Sequence, residues 1–280
     1  MLKKIILGGT IGLSTLSFGE YAPWNFTVLE GSLIKSNGLP NGYGASGKDT
    51  IFELQGTTRY DLLDLYWFVD RSNIFKDSDL SDKNKDHEKK NYTYGEFNPR
   101  ISLDGLLNKN LSIGPVKEWF IAYQFDYDNV RGVEWGKNKG IEKHYIGIGN
   151  YLNIPQMKYL KFDYFKTNIY ARYIDKNYSR NEKKWDGYLF NMAYGGSFYQ
   201  FENGMKLGFS GWLDYDFGAR HGSSKETHDS LQWQNQLRFY FTKNISVSYT
   251  YQINNHFSQV NNYSSNKNSQ SVGIHYSIMF

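Results

Sequence analysis

The sequence contains no cysteine and only five prolines among its 280 residues. The absence of cysteine excludes disulfide-linked scaffolds, thiolate zinc sites and cysteine nucleophiles. The charge is nearly balanced as well, because 32 lysines and arginines stand against 28 aspartates and glutamates, for a formal charge of +4. Binding of nucleic acid by electrostatics needs a strong basic excess on one face, so this class of function is excluded too.

Long apolar runs are also missing beyond residue 19, so the sequence predicts no transmembrane helix in the mature chain. Aromatic residues, in contrast, are abundant, with 7 Trp, 24 Tyr and 19 Phe, and glycine occurs 27 times. The mean hydropathy is nevertheless −0.63, so the chain is polar on average. Because large rings favour strands and membrane interfaces, the composition favours a β-protein with an aromatic outer surface.

The first 19 residues have the pattern of a secretory signal peptide. Lys3 and Lys4 form the charged start, residues 5–18 the apolar stretch, and residues 17–19 a small-x-small cleavage site. A membrane-anchoring helix is the alternative, but the apolar stretch is short for a bilayer span, which needs about 20 residues. We therefore divide the chain into a signal peptide, residues 1–19, and a mature domain, residues 20–280.

The mature chain shows strict alternation of apolar and polar residues, which is typical of strands with two different faces. Residues 230–241 and 244–256 are the clearest examples. Twelve segments carry the pattern, and they lie near residues 23–34, 49–59, 61–70, 91–103, 116–128, 140–152, 160–175, 183–195, 204–217, 230–241, 244–256 and 267–280. The 261 mature residues divided by 12 give about 22 per strand and connection, which suits strands that cross a bilayer at a tilt.

The connections between these segments alternate in length. Long polar connections are predicted at residues 35–48, 71–90, 129–139, 218–229 and 257–266, whereas tight turns are predicted at residues 59–61 and 242–244. The last segment ends in Phe280, which resembles the assembly signal of Gram-negative outer-membrane proteins. The sequence therefore predicts an all-β fold, a transmembrane antiparallel β-barrel of about 12 strands with both termini on the side of the short turns.

The polar faces of the predicted strands carry both signs of charge together with aromatic rings. A soluble sandwich would bury these charges in a dry core, where they are costly unless paired, whereas a barrel turns them toward a lumen. Rings among carboxylates and amides favour stacking on a flat ligand whose hydroxyls the polar groups bind. The candidate substrate-binding residues on the inward face are Glu53, Tyr66, Phe68, Asp70, Glu96, Arg100, Glu118, Phe120, Trp212, Arg238 and Tyr240. The alternative is that the rings fill space and the charges pair across the lumen.

Three stretches of the sequence resemble one family of channels. They are Gly95–Asp104 (GEFNPRISLD), Leu111–Phe120 (LSIGPVKEWF) and Trp185–Tyr188 (WDGY). These stretches are similar to motifs of the Tsx-type nucleoside-specific channels, the Tsx/OmpK family, and the resemblance covers residues 49–195. It implies a monomeric twelve-stranded barrel in the outer membrane, with periplasmic termini, for passive uptake of nucleosides and deoxynucleosides.

The resemblance also sets expectations about partners. Nucleosides are the expected solutes, outer-membrane lipid surrounds the barrel, and the barrel assembly machinery would recognise Phe280; phage or colicin docking at extracellular loops is a further expectation. No cofactor, metal or nucleic acid is expected. Four motif residues are expected to shape turns and bends rather than to bind a ligand: Pro99, Gly114, Pro115 and Gly187.

Two other functions compete with a nucleoside channel. A general or differently selective small-solute porin is the closer alternative, and saturable block by the solute would distinguish the two. An outer-membrane hydrolase is the more distant alternative, because the nearest approach to a catalytic motif is His221–Ser224 (HGSS) in a charged loop, without the Asn-Gly that the motif requires. The chain is therefore expected not to be an enzyme.

Overall fold

The computed structural model describes residues 25–40, 46–78, 93–129, 133–134, 137–138, 140–177, 182–220, 227–259 and 264–280. The predicted signal peptide, residues 1–19, lies outside these residues, as does the whole HGSS stretch, residues 221–224. Among the described residues, no helix is long and apolar enough to cross a membrane.

The described residues contain fourteen strands, one short α-helix and two 3-10 helices. In chain order the elements are β1 (Phe26–Pro40), β2 (Ser46–Tyr60), β3 (Leu63–Arg71), β4 (Thr93–Ser102), α1 (Leu103–Leu107), β5 (Val116–Asp128), β6 (Val133–Glu134), β7 (Lys137–Asn138), β8 (Ile141–Leu152), β9 (Lys161–Asn177), β10 (Lys184–Gln200), β11 (Lys206–Phe217), β12 (Ser230–Tyr240), β13 (Ile245–Asn255), the 3-10 helices Phe257–Gln259 and Ser264–Asn266, and β14 (Ser269–Met279). The two-residue strands β6 and β7 pair only with each other, and the other twelve close into one barrel. This confirms the predicted fold class.

The barrel strands pair antiparallel with their neighbours along the chain, and β14 closes the barrel against β1. The closing ladder runs from Val28↔Met279 to Asn37↔Gln270. Alternating side chains make such a closed ladder possible, since each strand needs one face for the lumen and one for the surroundings. A closed barrel leaves no unpaired sheet edge.

The first connection differs from the prediction. Residues 35–48 were expected to form a long loop, but the β1–β2 ladder continues through Lys35↔Thr50 and ends only at Pro40↔Ser46. A bulge between Asn37 and Leu39, with Gly38 at a φ of +79°, accommodates the irregular end of the ladder. Strands rich in polar residues can pair here because the hydrogen bonds of the ladder join backbone N–H and C=O groups, whatever the polarity of the side chains.

The connection between β2 and β3 begins two residues later than predicted, at residue 61 instead of residue 59. Arg59 belongs to β2 and pairs with Asp64 of β3, and the turn itself is Asp61–Leu62. Asp61 adopts a left-handed conformation with a φ of 48°, which aspartate tolerates better than most residues. The prediction placed Arg59 in the turn and thereby overlooked it as a lumen residue.

The two faces of the barrel are opposite in character to those of a soluble protein. Leu54, Phe97 and Ile146 on the outward face are 41%, 43% and 51% exposed, whereas Arg59 and Asp64 on the inward face are 1% and 2% exposed. An exposed apolar face that encloses a polar interior fits hydrocarbon chains on the outside. A soluble sandwich would show the reverse arrangement.

The barrel has two different ends. At the short-connection end the strands are joined by residues 61–62, 103–115, 153–160, 201–205 and 241–244. Both chain termini of the barrel lie at this end, where Phe280 N donates to Thr27 O at 2.8 Å. The opposite end, which we call the long-connection end, carries residues 41–45, 72–92, 129–140, 178–183, 218–229 and 256–268. This placement of the termini agrees with the prediction.

Candidate functional site

All eleven predicted site residues lie on the inward face of the barrel. The strand register shows this directly, since Glu53 lies opposite Asp70 and Phe68 lies opposite Glu96. They do not form one site, however. The structure distributes ten of them over three groups along the lumen wall and leaves Trp212 apart.

The first group lies on β2, β3 and β4 toward the long-connection end, and we call it the carboxylate–tyrosine wall. It consists of Glu53, Tyr66, Phe68, Asp70, Tyr94 and Glu96. The Phe68 ring lies between two tyrosine rings, with its centroid 6.0 Å from Tyr66 and 5.8 Å from Tyr94. Tyr94 Oη donates to Glu96 Oε1 at 2.7 Å, and Tyr66 Oη donates to Gln55 Oε1 at 3.0 Å. These bonds hold the outer rings, so the wall presents an ordered run of three rings.

Two buried oxygen atoms at this wall lack a hydrogen-bond donor within the part of the chain that the structure describes. They are Asp70 Oδ1 and Asn98 Oδ1. The amide nitrogen of Asn98 donates to Glu96 Oε2 at 3.3 Å, so the oxygen is the unused atom of this side chain. A buried acceptor without a donor costs about 1–3 kcal/mol. A solute that brings hydroxyl or amino groups to this wall would offset that cost.

The second group is a packed cluster of ion pairs and rings near the short-connection end, which we call the cationic cluster. It consists of Arg59, Asp64, Arg100, Glu118, Phe120, Tyr151 and Lys166. Arg59 Nη2 lies 2.5 Å from Glu118 Oε1. Asp64 forms an ion pair with Arg100 through one oxygen and accepts from Lys166 Nζ at 3.4 Å through the other.

Phe120 forms the centre of the cationic cluster and is fully buried. The guanidinium carbons of Arg59 and Arg100 lie 5.1 and 4.3 Å from the centroid of its ring, and the ring of Tyr151 meets it edge-on at 5.4 Å. Such contacts stabilise a buried cation by about 2 kcal/mol. Contacts within the cationic cluster therefore engage three of the predicted site residues, Arg100, Glu118 and Phe120.

The pair between Lys166 and Asp64 crosses the lumen. Lys166 lies on β9 and Asp64 on β3, and the strands β4, β5 and β8 separate them around the barrel. Arg100 on β4 makes a second contact across the lumen, because its Nη1 donates to Asn168 Oδ1 on β9 at 3.3 Å. The cationic cluster therefore narrows the pore near the short-connection end.

The third group surrounds Glu30 at the seam where the barrel closes. Arg238 Nη1 and Nη2 donate to Glu30 Oε1 and Oε2 at 3.0 and 2.5 Å, a bidentate pair. His275 Nδ1 lies 3.2 Å from Glu30 Oε1. Tyr240 packs under two cations, with Lys206 Nζ 4.5 Å and the Arg238 guanidinium 5.1 Å from its ring centroid. This group joins β1, β12 and β14 across the seam.

Trp212 lies on β11, half-buried, between Ala193 and Gln234 of the neighbouring strands. Two positions further toward the long-connection end, Asp214 accepts from Asn191 Nδ2 at 2.7 Å. Trp212 therefore lines the lumen at the side opposite to the first group in the strand order.

Several lumen residues were absent from the predicted set. Arg59 was assigned to a turn, and Tyr94, Tyr145 and Glu30 were not selected although each lies in alternation with inward neighbours. Tyr145 Oη donates to Asp126 Oδ2 at 2.9 Å. The alternation of inward and outward residues would have found them, if it had been followed through every position of each strand.

The motif residues mainly build the connection between β4 and β5. Asp104 is 3% exposed, and its carboxylate oxygens accept from Leu111 N at 2.9 Å and Trp119 N at 3.0 Å. Ser102 caps α1 by accepting from Gly105 N at 3.0 Å. The end of the first motif thus shapes the chain rather than the lumen.

Both glycines and one proline of the motifs have backbone positions that agree with the predicted role. Gly114 and Gly187 have φ of 57° and 74°, and a Cβ on Gly187 would meet Phe217 O at 2.9 Å. Pro99 lies within β4, at the point where the ladder to β5 is interrupted.

Known proteins resemble this chain. The family described as "Nucleoside-specific channel-forming protein, Tsx" matches residues 28–280. Outer membrane protein OmpK of Vibrio parahaemolyticus is 31% identical over 186 residues, which cover 66% of this chain and 63% of that relative. The nucleoside-specific channel-forming protein Tsx of Klebsiella aerogenes is 31% identical over 179 residues, which cover 62% of this chain and 55% of that relative. The chain thus spans somewhat more than half of the length of these relatives.

Among solved structures, the NanC porin aligns with a TM-score of 0.45 at 12% identity and covers 89% of this chain and 98% of its own. This similarity is too low to carry an argument. The family match, in contrast, extends from the third residue of β1 to the last residue of the chain. The chain therefore belongs to the family of Tsx nucleoside-specific channel-forming proteins.

Proposed function

We propose that the protein is a passive channel for nucleosides and deoxynucleosides. The observation that supports it most is the run of three rings on the carboxylate–tyrosine wall beside Asp70 Oδ1 and Asn98 Oδ1. A base stacks on an aromatic ring with about 1–3 kcal/mol. The hydroxyls of a ribose are donors, and the wall offers acceptors that lack a donor. A nucleoside combines a base that can stack on the rings with a ribose whose hydroxyls can donate to these acceptors.

The proposal divides the predicted site residues into two roles. Glu53, Tyr66, Phe68, Asp70, Glu96 and Trp212 contact the solute. Arg100, Glu118, Phe120, Arg238 and Tyr240 shape the pore, because ion pairs and ring contacts occupy them. Solutes pass down their gradient and meet weak sites on the way, as expected for a pore whose wall must release what it binds. The protein is a channel and not an enzyme in this proposal.

The proposal also includes the position of the protein in the cell. The signal peptide, residues 1–19, directs export, and the barrel of residues 20–280 lies in the outer membrane as a monomer. Both termini and the short-connection end face the periplasm, since outer-membrane barrels have short periplasmic turns and long extracellular loops. Phe280 engages the assembly machinery, and the long connections are the surfaces open to phage or colicin.

The test is single-channel conductance of the refolded protein in planar bilayers, titrated with adenosine, thymidine and glucose. We expect current block that saturates with either nucleoside at concentrations where glucose has no effect. Phe68→Ala should raise the half-blocking nucleoside concentration by about 5- to 100-fold, the equivalent of one lost stacking contact. The ion conductance should change little.

The matched control is Phe97→Ala, which removes a ring of the same kind from the adjacent strand but on the lipid-facing side, where Phe97 is 43% exposed. It should leave nucleoside block unchanged. Equal indifference of the unaltered channel to all three solutes would favour a general porin and overturn the proposal. Unchanged block in both Phe68→Ala and Tyr66→Ala would remove these rings from the site.

A further inference from the structure

The charged groups of the lumen are segregated along the pore axis. Toward the short-connection end, the arginines and the lysine that cross the lumen are ion-paired: Arg59 with Glu118, Arg100 and Lys166 with Asp64, and Arg238 with Glu30. The guanidinium groups among them are packed away from solvent, since Arg59 is 1% and Arg100 4% exposed. Lys206, whose Nζ lies 4.5 Å from the centroid of the Tyr240 ring, has no ion pair with a described carboxylate. The other lumen cations named here present little bare positive charge to a permeating ion.

Toward the long-connection end, four half-buried inward carboxylates have no ion pair with any described lysine or arginine. They are Glu53, Asp70, Glu96 and Asp214. Tyr94 and Asn98 donate to Glu96, and Asn191 donates to Asp214, so these donors are neutral. Glu53 and Asp70 are hydrogen-bonded to each other. Neutral donors stabilise a carboxylate without cancelling its charge. The acidic groups of this half therefore have no counter-charge among the described lysines and arginines.

Two buried basic residues toward the long-connection end are engaged elsewhere. Arg172 directs its three nitrogens to Asp216 Oδ1, Gln259 Oε1 and the Asp186 carbonyl, at 2.6, 2.9 and 2.9 Å. Lys143 lies opposite Asp126 in the β5–β8 register. Neither is an ion-pair partner of the four carboxylates.

The four carboxylates are also accessible, since each is half-buried rather than buried. In addition, the buried Asp70 Oδ1 has no donor among the described residues, so this group keeps an unused acceptor at the lumen wall. Rings of Asp and Glu side chains in a pore select cations, because low-dielectric walls strengthen their attraction for positive ions.

We propose that the channel also conducts small inorganic ions with a preference for cations, and that Glu53, Asp70, Glu96 and Asp214 set this preference. This property is separate from nucleoside binding, and it would hold for a pore that carries other solutes.

The test is the zero-current potential of the refolded full chain in a planar bilayer under a tenfold KCl gradient, without any nucleoside. One unit charge about 4 Å from an ion in water changes its occupancy about fivefold, so we expect K⁺ to permeate at least about fivefold more readily than Cl⁻. A zero-current potential near zero, or one of the sign for anions, in the unaltered protein would overturn the proposal without any variant.

Two double variants assign the residues. Glu96→Gln with Asp214→Asn, and separately Glu53→Gln with Asp70→Asn, should each lower the K⁺/Cl⁻ permeability ratio by at least about twofold. The control is Asp77→Asn with Glu202→Gln, which neutralises two carboxylates outside the barrel strands and should leave the ratio unchanged. An unchanged ratio in both lumen variants, or an equal drop in the control, would show that other groups set the selectivity.

Discussion

The two halves of the lumen use the same residue types in opposite ways. In the cationic cluster, Arg100 and Lys166 share Asp64, and rings fill the remaining space. On the carboxylate–tyrosine wall, Glu96 meets only neutral donors, and the rings line up along the wall. The first arrangement consumes its polar groups within the protein, and the second leaves them available to a solute.

The difference follows from side-chain length. Arginine and lysine are long enough to reach across the lumen, so Lys166 on β9 meets Asp64 on β3. Aspartate and glutamate are short, and where they lack a long basic partner their polar atoms are not used in an ion pair across the lumen. A charged residue that faces the lumen is therefore a candidate for solute binding only if no other residue of the protein forms an ion pair with it.

The largest effect is expected from removing the shared carboxylate of the cationic cluster. Asp64→Asn leaves Arg100 and Lys166 buried without a counter-charge, which should lower the free energy of unfolding by about 3–5 kcal/mol. Urea unfolding of the refolded barrel in lipid vesicles measures this. A variant as stable as the unaltered protein would mean that the two cations find other partners.

A smaller loss is expected at the seam. Glu30→Gln keeps an acceptor for Ser277 Oγ but removes the charge opposite Arg238 and beside His275. Hydrogen bonds to charged groups contribute about 1.5–3 kcal/mol, so the free energy of unfolding should fall by that amount. The same urea titration checks it, and a loss larger than that of Asp64→Asn would reverse the order of the two groups.

On the carboxylate–tyrosine wall, the same kind of substitution should not destabilise the barrel. Glu96→Gln retains an oxygen for the Tyr94 hydroxyl and removes a negative charge that has no basic partner among the described residues. The free energy of unfolding should change by less than about 1 kcal/mol, in either direction. A loss comparable to that of Asp64→Asn would show that the two halves do not differ as described.

The smallest effect is expected outside the lumen. Lys35 and Thr50 donate to Asp77 Oδ2 beyond the end of β3, and the bond from Lys35 is the main cause of the lowered pKa of Asp77. A pKa lowered by folding adds stability above the unfolded value of about 3.9 and loses it as the pH falls through the folded value. The side chains of Asp77 and Lys35 are 34% and 47% exposed, so solvent screens the pair and Asp77→Asn should cost at most about 1 kcal/mol at pH 7.

The pH dependence separates this prediction from a general effect of the substitution. The unaltered protein and Asp77→Asn should differ slightly at pH 7 and converge as the pH falls through the lowered pKa of Asp77, where the carboxyl loses its charge. The gap should also shrink in high salt. A difference that grows on acidification would contradict the sign of the pKa shift.

The sequence predicted the strands well because a barrel imposes period-2 alternation on each of them. The segments near 116–128 and 230–241 agree with β5 and β12 to within a residue. It failed at residues 35–48, where polar side chains were taken as a loop although backbone pairing continues into β1 and β2. The alternation of apolar and polar residues indicates which part of a strand faces lipid. It does not indicate where the backbone pairing of two strands ends.

The sequence alone determined which residues face the lumen, because alternation depends on nothing beyond the strand itself. Closure of the barrel decided which of these residues meet. Arg59 finds Glu118 across 59 residues, Lys166 finds Asp64 across 102, and Arg238 finds Glu30 across 208. No local pattern encodes such distances, since the partners lie on strands that are neighbours only through the curvature of the whole barrel. For this reason the sequence identifies many of the charged lumen residues, and only the tertiary structure separates those that are paired from those that remain open to a solute.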